Sequence, residues 1–230
     1  MRPNFLLHVP KSSRQSRRGP RSLSALRRRW NKDERSRPDT GVNCGESQSP
    51  PLPFHLHLQP LRILCCNVQS IMGKLTELSF LADLYHVDVF MIQETWLDAS
   101  IQNISLPNFH VLSRRDRSDE PNRGGVLVLG RVELKNVVFY KNSLNAERSW
   151  HLIHRDTGTI ALCNWYRSPH SEVETINSLR EEIQEISLHA EGLIIAGDMN
   201  VHQRSWLRFS HSDTREGKLL CDLAADFSFD

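Results

Sequence analysis

The sequence predicts an α/β fold that mixes parallel and antiparallel strands, and three observations carry that expectation. Leu61 to Asn67, an amphipathic stretch and Val87 to Ile92 make a strand–helix–strand unit, which within one sheet means two parallel strands joined by a right-handed crossover. Between Phe109 and Trp165 come short β-prone runs separated by turn residues, the pattern of an antiparallel meander. Gly192 to His202 then reads as a strand covered on both faces, Leu193-Ile194-Ile195-Ala196, which runs into a turn at Gly197 and throws out Asp198 and Asn200.

The chain of 230 residues divides by charge at the outset. Residues 1–38 carry twelve Lys/Arg against only Asp33 and Glu34, a net +10, whereas the whole chain is +2, so the remainder is −8. The basic charge belongs to a tail and the body is acidic, so a polyanion approaches the body only through a local basic patch or a bridging cation. Residues 1–60 are rich in Arg, Ser and Pro and show no sustained apolar period, so they are expected to stay disordered, because too little apolar surface is available to offset the ordering entropy. The tail suits an organellar transit segment, a nucleic-acid arm or upstream sequence without a role. Pro50-Pro51-Leu52-Pro53 closes it as a stiff linker, and 61–230 form the folded domain.

The five cysteines (Cys44, Cys65, Cys66, Cys163, Cys221) form no Cys-x-x-Cys pair and do not suggest a disulfide framework. They read as reduced, mostly buried thiols in an intracellular protein, nuclear by expectation. No apolar run approaches membrane-spanning length, and Phe5-Leu6-Leu7 is too short for a signal-peptide core.

Within 61–230 the elements follow in order. Ile71, Leu75, Leu78, Leu81 and Tyr85 mark one face of a first helix. Phe109–Leu112, Gly125–Leu129, Val132–Tyr140, Trp150–His154 and Thr159–Trp165 are the meander strands, with Thr157-Gly158 as a hairpin turn. Ser171, with Glu174 three residues on, predicts a capping box for a second helix whose stripe is Ile176, Leu179, Ile183 and Ile186. A third helix is expected over Asp213–Ala225, with Leu219, Leu220 and Leu223 inward, and Phe227–Asp230 opens as a strand.

Several strands end on groups suited to a metal or a phosphate: Asn67, Glu94, Asp198 with Asn200, and Tyr166 with Arg167. Each has a plain alternative, since Asn67 suits a helix cap, Glu94 a solvated loop, Tyr166 a rim and Asp198 with Asn200 a strand-end turn. Their shared position just past apolar strands is what open and sandwiched α/β sheets use to build a site.

Cys66-Asn67-Val68-Gln69-Ser70-Ile71 with Lys74, Gln93-Glu94-Thr95-Trp96-Leu97, Asn122-Arg123-Gly124-Gly125-Val126, Trp165-Tyr166-Arg167-Ser168-Pro169, and Gly197-Asp198-Met199-Asn200-Val201-His202 with Trp206 come in an order and spacing that resembles the exonuclease–endonuclease–phosphatase superfamily. Within it the wording is similar to the apurinic-endonuclease-like domain of non-long-terminal-repeat retrotransposons. The resemblance implies a four-layer α/β sandwich, two mixed sheets flanked by helices, that hydrolyses phosphodiesters with Mg²⁺ or Mn²⁺. It implies a catalytic group of Asn67, Glu94, Tyr166, Asp198 and Asn200, with Glu94 and Asn67 at the metal and Tyr166, Arg167 and Asn200 at the substrate. DNA is the implied partner, RNA the second, with a reverse transcriptase elsewhere in the full element and no membrane.

The superfamily also closes its site with a later Asp and a terminal Ser-Asp-His, and this sequence reaches Asp230 first. The expectation is therefore a fold incomplete at its C-terminus, with an unpaired sheet edge and diminished catalytic power. His151, His154, His202 and His211 stand in no matching context. Two alternatives to DNA nicking follow: a non-catalytic remnant that binds nucleic acid, and a phosphoesterase of the phosphoinositide-phosphatase kind.

Overall fold

The structure, a computed structural model, describes residues 5–8 (as backbone), 60–117, 123–207 and 210–229. In chain order these form β1 (Phe5–His8), β2 (Ile63–Asn67), α1 (Leu75–Tyr85), β3 (Val89–Gln93), β4 (Phe109–Arg115), β5 (Val126–Arg131), β6 (Val137–Asn142), β7 (Glu147–Arg155), β8 (Gly158–Tyr166), α2 (Glu174–Ile186), β9 (Gly192–Asp198) and α3 (Arg215–Asp226). One sheet has the order β2-β3-β5-β4 and the other β1-β9-β8-β7-β6. Both are mixed: β2 with β3 and β8 with β9 run parallel, while β3–β5, β4–β5, β6–β7 and β7–β8 are antiparallel.

Alternation along the strands produces the layers, because successive side chains point to opposite faces. Phe90 and Ile92 of β3 and Leu127 and Leu129 of β5 pack against Leu78 and Ala82 of α1. Val89, Met91 and Val128, on the other face of the same strands, meet Val137, Ile153, Leu162 and Ala196 of the second sheet. The far face of that sheet, with Trp150, Cys163, Trp165 and Ile195, is covered by Ile176, Leu179, Ile183 and Ile186 of α2 and by Leu220 and Leu223 of α3. The order helix, sheet, sheet, helices is the expected four-layer sandwich. Each fully buried aliphatic side chain contributes about 1.5–3 kcal/mol to it.

The expected βαβ unit is present as β2, α1 and β3, with Asn67 paired to Gln93 at the end of the register. The meander is antiparallel as expected, yet it is shared between sheets: β4 and β5 join β3, whereas β6, β7 and β8 build the other sheet. Four local expectations are corrected. Val173, not Ser171, occupies the N-cap of α2, and no side-chain bond caps it. Ser171 instead closes a turn with Ser168, its N–H donating to the Ser168 carbonyl at 3.0 Å. The β7–β8 hairpin turns on Asp156 and Thr157, because Arg155 and Gly158 are already paired. Tyr85 of the first helical stripe is 56% exposed, since α1 ends there and His86 turns the chain away at φ 50°. Phe227–Phe229 continue α3 as a turn rather than opening a strand, with Phe229 N–H donating to the Ala224 carbonyl at 2.9 Å. Phe5–His8 also depart from the unstructured tail expected for residues 1–60. They pair in parallel with Leu193–Ala196, so the N–H and C=O groups along that side of β9 are met by another strand. Residues 9–59, including the linker and Cys44, lie outside the described residues.

Two features hold the second sheet. Gly197 has φ 153°, and a Cβ there would stand 1.8 Å from the Trp165 carbonyl oxygen, so β8 and β9 close on each other only with glycine at this place. Beneath α2, the buried Arg148 of β7 grips Glu182 with both arms, Nε to Oε2 at 2.8 Å and Nη2 to Oε1 at 3.0 Å. Ser143 and Trp150 donate to the same carboxylate at 2.7 and 2.6 Å. Burial alone would raise the Glu182 carboxyl, but the Arg148, Trp150 and Ser143 donors carry it below its ordinary range.

Two outcomes are expected. Gly197→Ala lowers unfolding free energy by at least about 1–3 kcal/mol from backbone strain alone, read as a lower urea midpoint at unchanged slope. Glu182→Ala, which strands a buried guanidinium, costs about 3–5 kcal/mol near neutral pH. Because the folded-state carboxyl is lowered, the Glu182 contribution is present above its ordinary value of 4.5 and is lost as pH falls below it. Urea midpoints of wild type and Glu182→Gln converging on acidification would confirm that sign; a pH-independent gap would refute it.

Candidate active site at the strand ends

The site is assembled from strand ends on both sheets. Asn67 is the last residue of β2 and lies level with Gln93, so Glu94 follows immediately beyond β3. In the other sheet Tyr166 and Asp198 are paired as the last residues of β8 and β9. The loops after β2 and β3 are tied together, with Ser70 N–H donating to the Glu94 carbonyl at 2.9 Å and Ile71 N–H to the Thr95 carbonyl at 3.1 Å. Several of these post-strand residues lie in the left-handed region: Gln69 at φ 47°, Ser70 at 82°, Glu94 at 52°, Trp96 at 55° and Asn200 at 47°. Such strain in non-glycine residues persists where surrounding contacts over-determine the backbone, and it gathers at functional sites.

Asn67 joins the sheets. Its Nδ2 donates to Glu94 Oε1 at 2.6 Å and to Asp198 Oδ2 at 2.8 Å, so one neutral amide stands between two carboxylates from different sheets. Trp96 Nε1 takes the other Glu94 oxygen, Oε2, at 3.2 Å, and Asn200 N–H donates to Asp198 Oδ1 at 3.3 Å. Burial raises the Asp198 carboxyl above its ordinary value, with the neighbouring Glu94 charge adding to it and the Asn67 and Asn200 donors opposing it. Burial pushes the Tyr166 phenol far above its ordinary range as well, and Glu94, Glu147 and Asp198 act in the same direction against Arg117. Tyr166 is therefore a phenol that keeps its proton and can donate it in a hydrogen bond.

The remaining expected residues are placed unequally. Asn200 donates Nδ2 to the Arg167 carbonyl at 2.8 Å, and Arg167 N–H donates to the Asp198 carbonyl at 2.8 Å; the backbone of Arg167 thus braces the site. Its guanidinium is not gathered with the carboxylates. It is buried and donates to the Ser171 carbonyl, and burial lowers its pKa while Glu216 acts the other way. Lys74 donates Nζ to the Val68 carbonyl at 2.5 Å, bracing the loop after β2. Burial pushes the Cys65 thiol up to about 11 and the Cys66 thiol up to about 12, so neither is a nucleophile here. His151 lies buried in β7 and burial carries it down to about 4, a neutral interior histidine.

The sequence reading missed Trp96 as a partner of Glu94 and missed Arg117 and Glu147 altogether. Arg117 Nε donates to Glu147 Oε1 at 2.8 Å, and its Cζ lies 5.8 Å from the centre of the Tyr166 ring. Nothing local distinguishes these two among ordinary polar loop and strand-start residues; the Trp in Glu94-Thr95-Trp96 was at least visible within a quoted motif. Beside Tyr166 opens a cleft of about 320 Å³ whose wall includes Arg115, Arg117, Glu147, Arg167 and His170.

The donor set suits a hard cation. Asn67 Oδ1 is buried without a hydrogen-bond partner, Glu94 offers carboxylate oxygens beside it, and no group of three or more His, Cys, Asp and Glu gathers among the described residues. One or two protein oxygens with the rest of the shell left to water and phosphate is how Mg²⁺ is ordinarily held.

Removing the shared amide has a definite expected consequence. In Asn67→Ala the Asp198 carboxyl loses an opposing donor while keeping burial and the Glu94 charge, so its titration moves to higher pH. Carboxyl ¹³C NMR checks this, and an unchanged or lower Asp198 titration would remove Asn67 from its bridging role.

Comparison with known proteins agrees with the architecture. Solved structures similar to the chain include the endonuclease domain of TRAS1, a telomere-specific non-LTR retrotransposon, at 19% identity and a TM-score of 0.57, over 73% of this chain and 71% of that one. The catalytic domain of Xenopus laevis APE2 is similar at 13% identity and 0.55, over 70% and 66% of the two chains. An AP endonuclease from Archaeoglobus fulgidus follows at 18% and 0.50, over 72% and 70%. No curated protein sequence matches the chain. The model of the endonuclease/exonuclease/phosphatase family matches residues 64–219, which run from β2 into the first turn of α3 and include every residue of the strand-end group, and the chain belongs to that family.

Proposed function

We propose that this protein is a Mg²⁺-dependent phosphodiesterase that nicks DNA, in the manner of a retroelement endonuclease. The observation that carries the reading is the Asn67 amide held between Glu94 and Asp198 with the protonated Tyr166 phenol alongside. Hydrolysis of a phosphodiester needs a water made nucleophilic, a place for the charge that grows on the phosphate oxygens, and groups that hold both in line. Asp198 is suited to take the proton of the attacking water. Its carboxylate is oriented by Asn67 and Asn200, and burial makes it more basic than a surface aspartate. Tyr166 donates to a phosphate oxygen, and the N–H that Asn200 does not spend on the Arg167 carbonyl donates to a second. Glu94, oriented by Asn67 and Trp96, would hold the metal through oxygen. When bound, Mg²⁺ supplies positive charge against the phosphate oxygens and lowers the pKa of coordinated water.

DNA as substrate is supported by the similar structures of a telomere-specific retrotransposon endonuclease domain and an AP endonuclease. The cleft beside Tyr166 adds the Arg115 and Arg117 guanidiniums, groups suited to phosphate oxygens, on a body that is otherwise acidic.

The test is conversion of supercoiled plasmid to open circles. Nicking is expected with Mg²⁺, none with EDTA, and losses on the order of 10²-fold or more in Glu94→Ala and Asp198→Ala. Turnover of phosphoinositides without nicking would replace the reading with the phosphatase one. Salt-dependent DNA binding with no hydrolysis of any phosphate ester would leave only a binding remnant.

A further inference from the structure

Outside the group that touches the reacting atoms, one carboxylate is bonded to both halves of the site. Glu147 opens β7 and is paired in register with Tyr166 of β8, so the two side chains stand side by side on one face of the sheet. Glu147 Oε1 accepts from Arg117, from Nε at 2.8 Å and also from Nη2, and Arg117 lies over the Tyr166 ring. Glu147 Oε2 accepts the Gly125 N–H. Gly124 and Gly125, at φ 61° and 86°, carry the other side of the site: their carbonyls accept Trp96 N–H at 3.0 Å and Thr95 N–H at 3.3 Å, and Trp96 in turn holds Glu94. The fit is close, since a Cβ on Gly124 would stand 2.5 Å from Glu147 Oε2. The Arg117–Glu147 pair is largely withdrawn from water, with side chains 12% and 14% exposed, where a charge-assisted bond holds its geometry better than at an open surface.

We propose that Glu147 is a positioning residue of this active site, fixing Tyr166 through Arg117 and the Glu94 loop through the Gly124–Gly125 backbone so that the two arms of the site keep one spacing. The proposal deepens the phosphodiesterase reading and rests on it for its kinetic arm only. A phosphate gripped by Tyr166 on one side and served by Glu94 on the other reacts fast only while both stay in place, and small displacements are costly in rate. Five contacts lead from the phenol to the Glu94 carboxylate, through Arg117, Glu147, the Gly124–Gly125 backbone and Trp96, and Glu147 is the member that both arms share. Its negative charge also opposes the pull of the neighbouring guanidinium on the phenol proton, a lesser effect beside burial.

The experiment compares wild type, Glu147→Gln and, as a surface control, Glu133→Gln in the full chain. Far-UV circular dichroism verifies folding, and the glutamine keeps an oxygen for the Gly125 N–H. Two readouts are taken. The Cζ NMR resonance of Tyr166, assigned by its loss in Tyr166→Phe among only three tyrosines, is expected to shift near neutral pH in Glu147→Gln and to stay put in Glu133→Gln. Plasmid nicking with Mg²⁺ is expected to lose between about 10- and 100-fold in kcat with KM held within about twofold. A purely structural role would lower stability and leave the Tyr166 resonance where it is. An unmoved Tyr166 resonance together with wild-type kcat in Glu147→Gln would overturn the proposal. If the intact protein nicks no DNA, the phosphodiesterase reading fails by itself, and the Tyr166 resonance still decides for or against Glu147.

Discussion

Two buried amides set the spacing on which the site depends. Gln93, the last residue of β3, and Asn164 of β8 are both fully buried, and Gln93 Nε2 donates to Asn164 Oδ1 at 2.5 Å across the gap between the sheets. Asn164 then donates Nδ2 to the carbonyls of Ile92 and Leu127, each at 3.1 Å. Apolar packing between two sheets resists sliding only weakly, because one aliphatic contact replaces another at little cost. A buried amide left without partners costs about 1–3 kcal/mol, so this pair admits one registration of the sheets. Glu94 lies one residue beyond Gln93 and Tyr166 two beyond Asn164. The alignment of the two arms of the site is thus inherited from a polar contact just beneath it.

Above that contact the chemistry is governed by desolvation. Glu94 and Asp198 come from different sheets and share the Asn67 amide; their further donors are the Trp96 indole and the Asn200 N–H, both neutral. Burial raises Asp198 and keeps Tyr166 protonated. The Arg117–Glu147 ion pair stands beside Tyr166. The contrast with Arg148 and Glu182 is instructive. There a buried carboxylate is fully met by a guanidinium, an indole and a hydroxyl and is held ionised as a structural tie beneath α2. The strand-end pair is met by a neutral amide, and its uncompensated charge is the electrostatic ground for the proposed cation.

Much of this was legible from the chain alone. Apolar runs ending on Asn67, Glu94, Tyr166 and Asp198 gave the strands and their polar tips, because a buried strand needs continuous apolar residues and chemistry is placed where it ends. The stripes Ile176, Leu179, Ile183, Ile186 and Leu220, Leu223 gave α2 and α3 and their inward faces. The local errors came from signals that several structures satisfy equally. Ser171 with Glu174 fits a capping box, yet the Arg167 side chain binds the Ser171 carbonyl and the helix starts later. Arg167 follows a strand-end tyrosine, so it read as a phosphate ligand, whereas its side chain is drawn back against the loop that leads into α2. Glu147 and Arg117 carried no signal, since a long-range ion pair leaves no periodicity in either partner's neighbourhood.

By itself, then, the sequence determined the α/β class, the strand-helix order, the buried faces and the identity of the polar strand ends, all of which follow from local periodicity and residue chemistry. Only the tertiary structure decided that the meander is split between two sheets, that Phe5–His8 lie along β9, and that Asn67 spans Glu94 and Asp198. It also decided that Tyr166 faces these carboxylates while Arg167 turns away. Those outcomes depend on distances between residues far apart in the chain, which sheet pairing, the close approach at Gly197 and the Gln93–Asn164 contact settle together.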